Sequence, residues 1–252
     1  MELARFLENS LHFSGNLTNF VHTQYNMEIQ PIAYFRSPFA TKFGIPKQSG
    51  LADTLRGTIE FVPKYRNADA LRGMATFDYL WLIWEFSANR HESSSPVVRP
   101  PRLGGNVRMG VFATRSPFRP NRLGLSSVRL ASIDYEANNG PLIHVLGADL
   151  MDGTPIYDIK PYVTYADSHA DARSGFVDSH EVRHLRVEIP DNVAQRFSAE
   201  ERDALIKVLE LDPRPQYHDN PDKVYGMAFA NRDVRFRVMD GVLEVVEVCG
   251  GI

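Results

Sequence analysis

Four arginines and no acid occupy Gly110 to Leu130, GVFATRSPFRPNRLGLSSVRL, as Arg115, Arg119, Arg122 and Arg129. Guanidinium groups at that density suit the recognition of phosphate or carboxylate, which they grip through paired, planar N–H donors. The clustering extends upstream. From Arg90 to Leu130 there are eight arginines (90, 99, 102, 108, 115, 119, 122, 129) against the single acid Glu92, so this window carries +7 in a chain of net charge −3. Such a patch, rather than the global sum, governs phosphate binding, because fields are screened within about 10 Å. For charge alone, a solvated basic face is the alternative reading. Two further loops are dense in binding groups. RSPFATKFGIPKQSG (36–50) offers Lys42, Lys47 and Gln48, and DLMDGTPIYDIKPY (149–162) sets Asp152, Asp158 and Lys160 around a tight turn. Turn chemistry explains each loop singly. Together they hold more arginine, lysine and aspartate than loop closure requires.

Several chemistries find no foothold. The sequence has no phosphate-binding P-loop, no G-x-S-x-G elbow and no glycine-rich dinucleotide fingerprint after a strand. His180 and His184, the ends of HEVRH, have the i, i+4 spacing that would face a metal on a helix, but the segment runs into the strand-like LRVE, so no metal is expected. The single cysteine, Cys249, excludes a disulfide framework and a cysteine zinc cluster, and a reducing compartment is its simplest setting. The longest apolar stretch, YLWLIWEF (79–86), is eight residues long. That is far short of the roughly 20 that a membrane helix needs. Residues 1–26 lack the organisation of a secretory signal. A cytoplasmic protein without a membrane association is the expectation.

Short strands must position the three loops. EIQPIAYF (28–35) and RGTIEFVPKY (56–65) read as strands flanking the first loop, and YLWLIWEF as a buried strand. Asn67–Arg72 could form a short helix. After the irregular 93–106, strands are expected near 107–113, 125–136 and 142–149, with NNG (138–140) as the hairpin between the last two. The DGTP turn (152–155) then precedes IYDIKPY (156–162). Many short strands with little helix argue for a barrel or closed sheet. Beyond a hinge at HADARSG (169–175) the character changes. LRVEIP (185–190) reads as a strand, and SAEERDALIKVLEL (198–211) as a helix opened by a Ser198–Glu201 capping box. Residues 225–248 read as a hairpin turning at Asp240-Gly241. The expected division is an N-terminal extension over 1–26, with Met27 as an alternative start, a barrel domain over 27–168, and an α+β (β-α-β-β) domain over 169–252. The fold class is mainly β.

On IAYFRSPFATKFGIPKQSGL (32–51), SPVVRPPRLGGNVRMGVFATRSPFRPNRLGLS (95–126), DLMDGTPIYDIKPY (149–162) and DPRPQY (212–217), the chain resembles the TrmO family of tRNA methyltransferases, also called the YaeB or VirR-like family. The resemblance implies a single-sheeted β-barrel that forms a homodimer, with S-adenosylmethionine near the subunit interface. It implies methylation of N6 of threonylcarbamoyladenosine at position 37, in the anticodon stem-loop of threonine-type tRNA. Carried over motif by motif, cofactor contacts fall on Pro46, Lys47 and Gln48, on Ser87 and Ala88, on Arg115 and Leu125, and on Asp152, Gly153, Thr154 and Pro155. Relatives often read FHQ where this chain has Phe86-Ser87-Ala88, so a contact there must come from backbone or from the Ser87 hydroxyl.

The chemistry of that reaction assigns further roles. The cofactor bears a carboxylate, an ammonium and a sulfonium, so its site needs both signs of charge. Displacement at the methyl carbon is in line, and alignment supplies much of the rate. The target nitrogen belongs to a ureido group with a delocalised lone pair, so loss of its proton must be coupled to transfer. A general base is needed, or a charge that stabilises the anionic ureido oxygen. Asp158 or Tyr162 could accept the proton, and Lys160 or Arg119 could stabilise the charge; alternatively, DIKPY only holds the cofactor loop. An unpaired anticodon-loop base is recognised by stacking and its phosphates by arginine, which points to Phe118, Arg119 and Arg122. Two rivals stand beside this reading: a barrel that binds cofactor or RNA without transferring methyl, and a methyltransferase of the same fold with another substrate.

Overall fold

In the computed structural model the described residues are 28–89, 95–178, 184–215 and 220–250, and the expected extension over 1–26 lies outside them. Eight strands occupy the first part: β1 (Ala33–Arg36), β2 (Arg56–Phe61), β3 (Tyr79–Glu85), β4 (Val97–Val98), β5 (Met109–Gly110), β6 (Leu123–Asp134), β7 (Leu142–Leu146) and β8 (Pro155–Pro161). Six of them close into a barrel in the order β1-β2-β7-β6-β3-β8. Every neighbouring pair is antiparallel. The two-residue strands β4 and β5 form a separate ribbon within the long β3–β6 connection. A strand expected over 107–113 is therefore mostly replaced by a 3-10 turn at Val111–Ala113.

Alternation makes the strands. In β3, Leu80, Leu82 and Trp84 face the interior while Tyr79, Trp81, Ile83 and Glu85 face outward. Phe35, Ile59, Ile143, Val145 and Ile156 meet them in the barrel core, and each such side chain stabilises the fold by about 1.5–3 kcal/mol when fully buried. β2 stops at Phe61, two residues short of Pro63, whose missing N–H could not extend the ladder. A close approach governs one wall. A Cβ added at Gly124 would lie 2.3 Å from the Trp84 ring, so the indole occupies the space that any side chain at 124 would take.

The second part holds α1 (Thr164–Asp167), β9 (Arg186–Glu188), α2 (Asp191–Ala194), α3 (Ala199–Glu210), β10 (Tyr225–Phe229), β11 (Arg232–Met239) and β12 (Val242–Gly250). Its sheet runs β10-β11-β12-β9, with β9 parallel to β12. The capping box is formed: Glu201 N donates to Ser198 Oγ and Ser198 N to Glu201 Oε2. Helix α3 buries Ala204, Leu205, Val208 and Leu209 against this sheet. Residues 225–248 make two successive hairpins instead of the one expected from sequence, so three strands follow the helix rather than two. The additional turn is Ala230-Asn231, with φ of 49° and 60° and no glycine to announce it. The Asp240-Gly241 turn has φ of 51° and 76°, as a type I′ turn requires.

The β1–β2 loop joins the two parts. Phe39, Ala52 and Leu55 are buried in the core of the C-terminal sheet. Phe39 packs edge-on against Phe229 at 5.5 Å, and Ala230 N donates to Pro38 O at 2.9 Å. Gly44, at φ +93°, lets the backbone pass Met227, whose Sδ lies 2.1 Å from where a Cβ would be. Among the described residues no helix is long and apolar enough to cross a membrane.

Candidate active site

Antiparallel closure sends the β1–β2, β3–β6 and β7–β8 connections out of the same end of the barrel. These are the three loops singled out by their chemistry, and they enclose a cleft of about 710 Å³. Barrel strands supply its floor through Trp84, Gly124 and Leu125. Lys42 and the Ile45–Gln48 turn form one side, Glu85–Asn89 another, and Phe112, Thr114, Arg115, Pro117 and Arg119–Asn121 close it, with Asp149, Met151 and Thr154 beneath.

A chain of hydrogen bonds runs under this floor. The indole Nε1 of Trp84 donates to Ser126 Oγ at 2.9 Å, and the Ser126 hydroxyl donates to Asp149 Oδ1 at 2.6 Å. Burial pushes the Asp149 carboxyl above its ordinary value of 3.8, while Ser126, its own and the Ser49 backbone N–H groups and the Arg115 guanidinium pull the other way. Arg115 also donates to Gln48 Oε1. On the opposite wall Arg122 pairs with Glu85 Oε1 at 3.0 Å and donates to Asn89 O at 3.1 Å. Glu85 Oε2 accepts from the Tyr157 hydroxyl at 2.7 Å. Burial first, and then this carboxylate, push the Tyr157 phenol up to about 12. Lys42 Nζ donates to Asn89 Oδ1, which leaves Asn89 Nδ2 buried without a partner among the described residues.

Eight of the eleven expected cofactor positions line this cleft: Pro46, Lys47, Gln48, Ser87, Ala88, Arg115, Leu125 and Thr154. Asp152, Gly153 and Pro155 do not. Asp152 instead accepts from Ser37 N at 3.0 Å, and Gly153, at φ +74°, donates to Phe35 O at 2.8 Å. Both hold the β7–β8 turn against β1. Asp158, Lys160 and Tyr162 also lie outside the cleft. A strand advances about 3.3 Å per residue, so Tyr162 is roughly 25 Å along the chain from Thr154, towards the other end of the barrel. Along this strand Asp158 and Lys160 pair with each other at 2.9 Å, and at its far end Tyr162 packs against Tyr79 and Trp81.

Arg119 lines the cleft and donates to Thr114 O at 3.1 Å. Phe118 lies in an adjoining groove of about 1540 Å³, along with Arg99, Arg108, Arg173, Phe112 and Phe176. Phe112 and Phe118 are 79% and 50% exposed. Arg99, Arg108 and Arg173 make no ion pair among the described residues, in contrast to Arg122. The letters HEVRH match a zinc-protease pattern; His180 lies outside the described residues, and His184 sits just before β9. Among the described residues no group of three His, Cys, Asp or Glu could hold a metal ion.

Trp84, Glu85, Asn89 and Asp149 were not singled out from sequence. Asp149 stands in the same motif as Asp152, and letters alone do not show which aspartate the turn consumes.

The cleft fits a cofactor bearing both charges. Arg115 and Lys42 supply positive charge, Asp149 negative, Asn89 Nδ2 is a buried donor without an acceptor among the described residues, and Trp84, Phe86 and Leu125 offer apolar faces. Comparison with known proteins agrees. Residues 34–168 match the tRNA-methyltransferase O N-terminal domain and residues 182–250 the TrmO C-terminal domain. The Escherichia coli K12 tRNA (adenine(37)-N6)-methyltransferase is 38% identical over 229 residues, covering 87% of this chain and 97% of that protein. A Pyrococcus abyssi protein named "Probable S-adenosyl-L-methionine-binding protein" is 34% identical over 149 residues, 59% of this chain and 75% of that one. The crystal structure of TrmO from Pseudomonas aeruginosa superposes with a TM-score of 0.71 at 33% identity, covering 89% of this chain and 98% of that one.

Proposed function

This chain belongs to the TrmO family of tRNA methyltransferases, and from that premise we propose that it methylates N6 of adenosine 37 in tRNA with S-adenosylmethionine as the donor. The modified base is threonylcarbamoyladenosine in the anticodon stem-loop of threonine-type tRNA, and the protein works in the cytoplasm. The observation that carries this reading is the cleft at the barrel end, where eight cofactor positions inferred from the family motifs meet around charges of both signs.

When bound, S-adenosylmethionine supplies an electrophilic methyl carbon on a sulfonium. The chain's own residues hold and shield it. Arg115 and the unpartnered Asn89 Nδ2 would take the methionine carboxylate, and the walls of Trp84, Phe86 and Leu125 would take the base. Arg122, clamped between Glu85 and the Asn89 carbonyl, fixes the wall that carries Ser87 and Ala88. The adjoining groove gives RNA a track of the required chemistry: aromatic faces at Phe112 and Phe118 for unstacked bases, and the guanidinium groups of Arg99, Arg108 and Arg173 for phosphates. A second copy of the chain would cover the apolar rim formed by Leu123 and Leu125, which supports a homodimer.

Purified protein, methyl-labelled cofactor and tRNA carrying or lacking the threonylcarbamoyl group test this reading, with nucleoside mass spectrometry as readout. Methylated threonylcarbamoyladenosine should appear only with the modified tRNA. Cofactor binding without any incorporation would leave a binding module, and incorporation outside position 37 would leave a different methyltransferase.

A further inference from the structure

Two carboxylates line the cleft among the described residues, Glu85 and Asp149. Glu85 is consumed by structure, with Oε1 held by Arg122 and Oε2 by Tyr157. Asp149 accepts one side-chain hydrogen bond, from Ser126, and its remaining donors are backbone N–H groups. A carboxylate offers about four lone-pair sites, so it retains acceptor capacity towards the cleft.

Resting on the functional reading above, we propose that Asp149 is the proton acceptor in methyl transfer, with Ser126 and Trp84 as its positioning residues. The N6–H bond breaks and its proton forms an O–H bond on Asp149. The electron pair left on N6 bonds the methyl carbon as the carbon–sulfur bond breaks with its electrons to sulfur. Asp149 then returns the proton to water. The indole–hydroxyl–carboxylate chain fixes the orientation of the acceptor, and the indole is itself seated by the absent side chain of Gly124.

The environment suits the task. Burial raises the carboxyl above the ordinary range, which makes Asp149 a stronger base than an exposed aspartate, while Arg115 keeps its ionised form accessible. The other charged groups lining the cleft are Lys42, Lys47, Arg119 and Glu85. A raised folded value also means that the native state binds a proton that the unfolded chain has lost, so stability falls as pH rises through the window above 3.8 and stays lower beyond it. Asp149→Asn should therefore be more stable than the parent at pH 8 and lose that advantage at pH 3.

The test pairs single-turnover methyl transfer between pH 5 and 9 with S-adenosylhomocysteine binding by calorimetry and the indole N–H resonance of Trp84 in the free protein. With only two tryptophans, that signal is readily assigned. Asp149→Asn should lower the rate at saturating substrates by about 10²- to 10⁴-fold, the usual worth of general base catalysis, far more than it weakens product-cofactor binding. The parent's Trp84 resonance should titrate with the inflection of the rate profile, and Asp149→Asn should abolish it. Ser126→Ala, which removes a hydrogen bond to the ionised form, should move the acid limb to higher pH, and Asp149→Glu should restore part of the rate. An Asp149→Asn protein that keeps its rate, or loses rate in step with cofactor affinity, overturns the assignment. A parent protein that transfers no methyl at any pH overturns the functional reading itself.

Discussion

The cleft and the groove beside it are both lined with arginine, but they use it differently. In the cleft the guanidinium groups are tied to the protein, Arg119 to the Thr114 carbonyl and Arg115 to Gln48, and Arg122, outside the lining, ties down the lining residues Glu85 and Asn89. In the groove Arg99, Arg108 and Arg173 have no ion pair among the described residues and stand beside exposed Phe112 and Phe118. Tied arginines hold a fixed geometry ready for a small charged ligand, where misplacement is costly. Untied ones suit a flexible polyanion, whose phosphates they can follow while counterions are released.

Substitutions can break this contrast. The largest effect is expected at Phe118. Phe118→Ala should weaken tRNA binding by about 1–3 kcal/mol, the worth of one stacked base, and leave both cofactor affinity and the thermal midpoint unchanged; a lowered midpoint would place Phe118 on the structural side. Next is Arg122→Ala, which strips Glu85 of its cation and should cost about 1 kcal/mol of folding stability, discounted for partial exposure. Chemical denaturation reads that cost, and an unchanged midpoint would show that the tie is ornamental. The smallest effect is expected at Arg108. Arg108→Ala should reduce the slope of log affinity against log salt by roughly 0.7, as for one phosphate contact on a single strand, without moving cofactor affinity. Calorimetric titrations at several salt concentrations separate the two.

Much of the barrel is legible in the letters because its strands alternate. YLWLIWE places Leu80, Leu82 and Trp84 on one face by period alone. The turn at Ala230-Asn231 is not legible, because two non-glycine residues carry positive φ there and nothing local marks the reversal. The site divides in the same way. Loop composition locates the three connections, but the partners of their charged groups are distant in sequence: Arg122 meets Glu85, and Asp149 meets Ser126. Which aspartate of DLMDGTPIYD faces the cleft depends on how the barrel closes. Closure turns Asp152 to Ser37 and carries Asp158 away down β8.

The loop that supplies Lys42, Pro46, Lys47 and Gln48 to the cleft also plants Phe39, Ala52 and Leu55 in the core beneath the C-terminal sheet. The barrel is therefore not a transplantable cassette. Cutting the chain after residue 168 would leave those apolar side chains uncovered and slacken one wall of the cleft. The two sheets should melt together in a single calorimetric transition rather than in sequence.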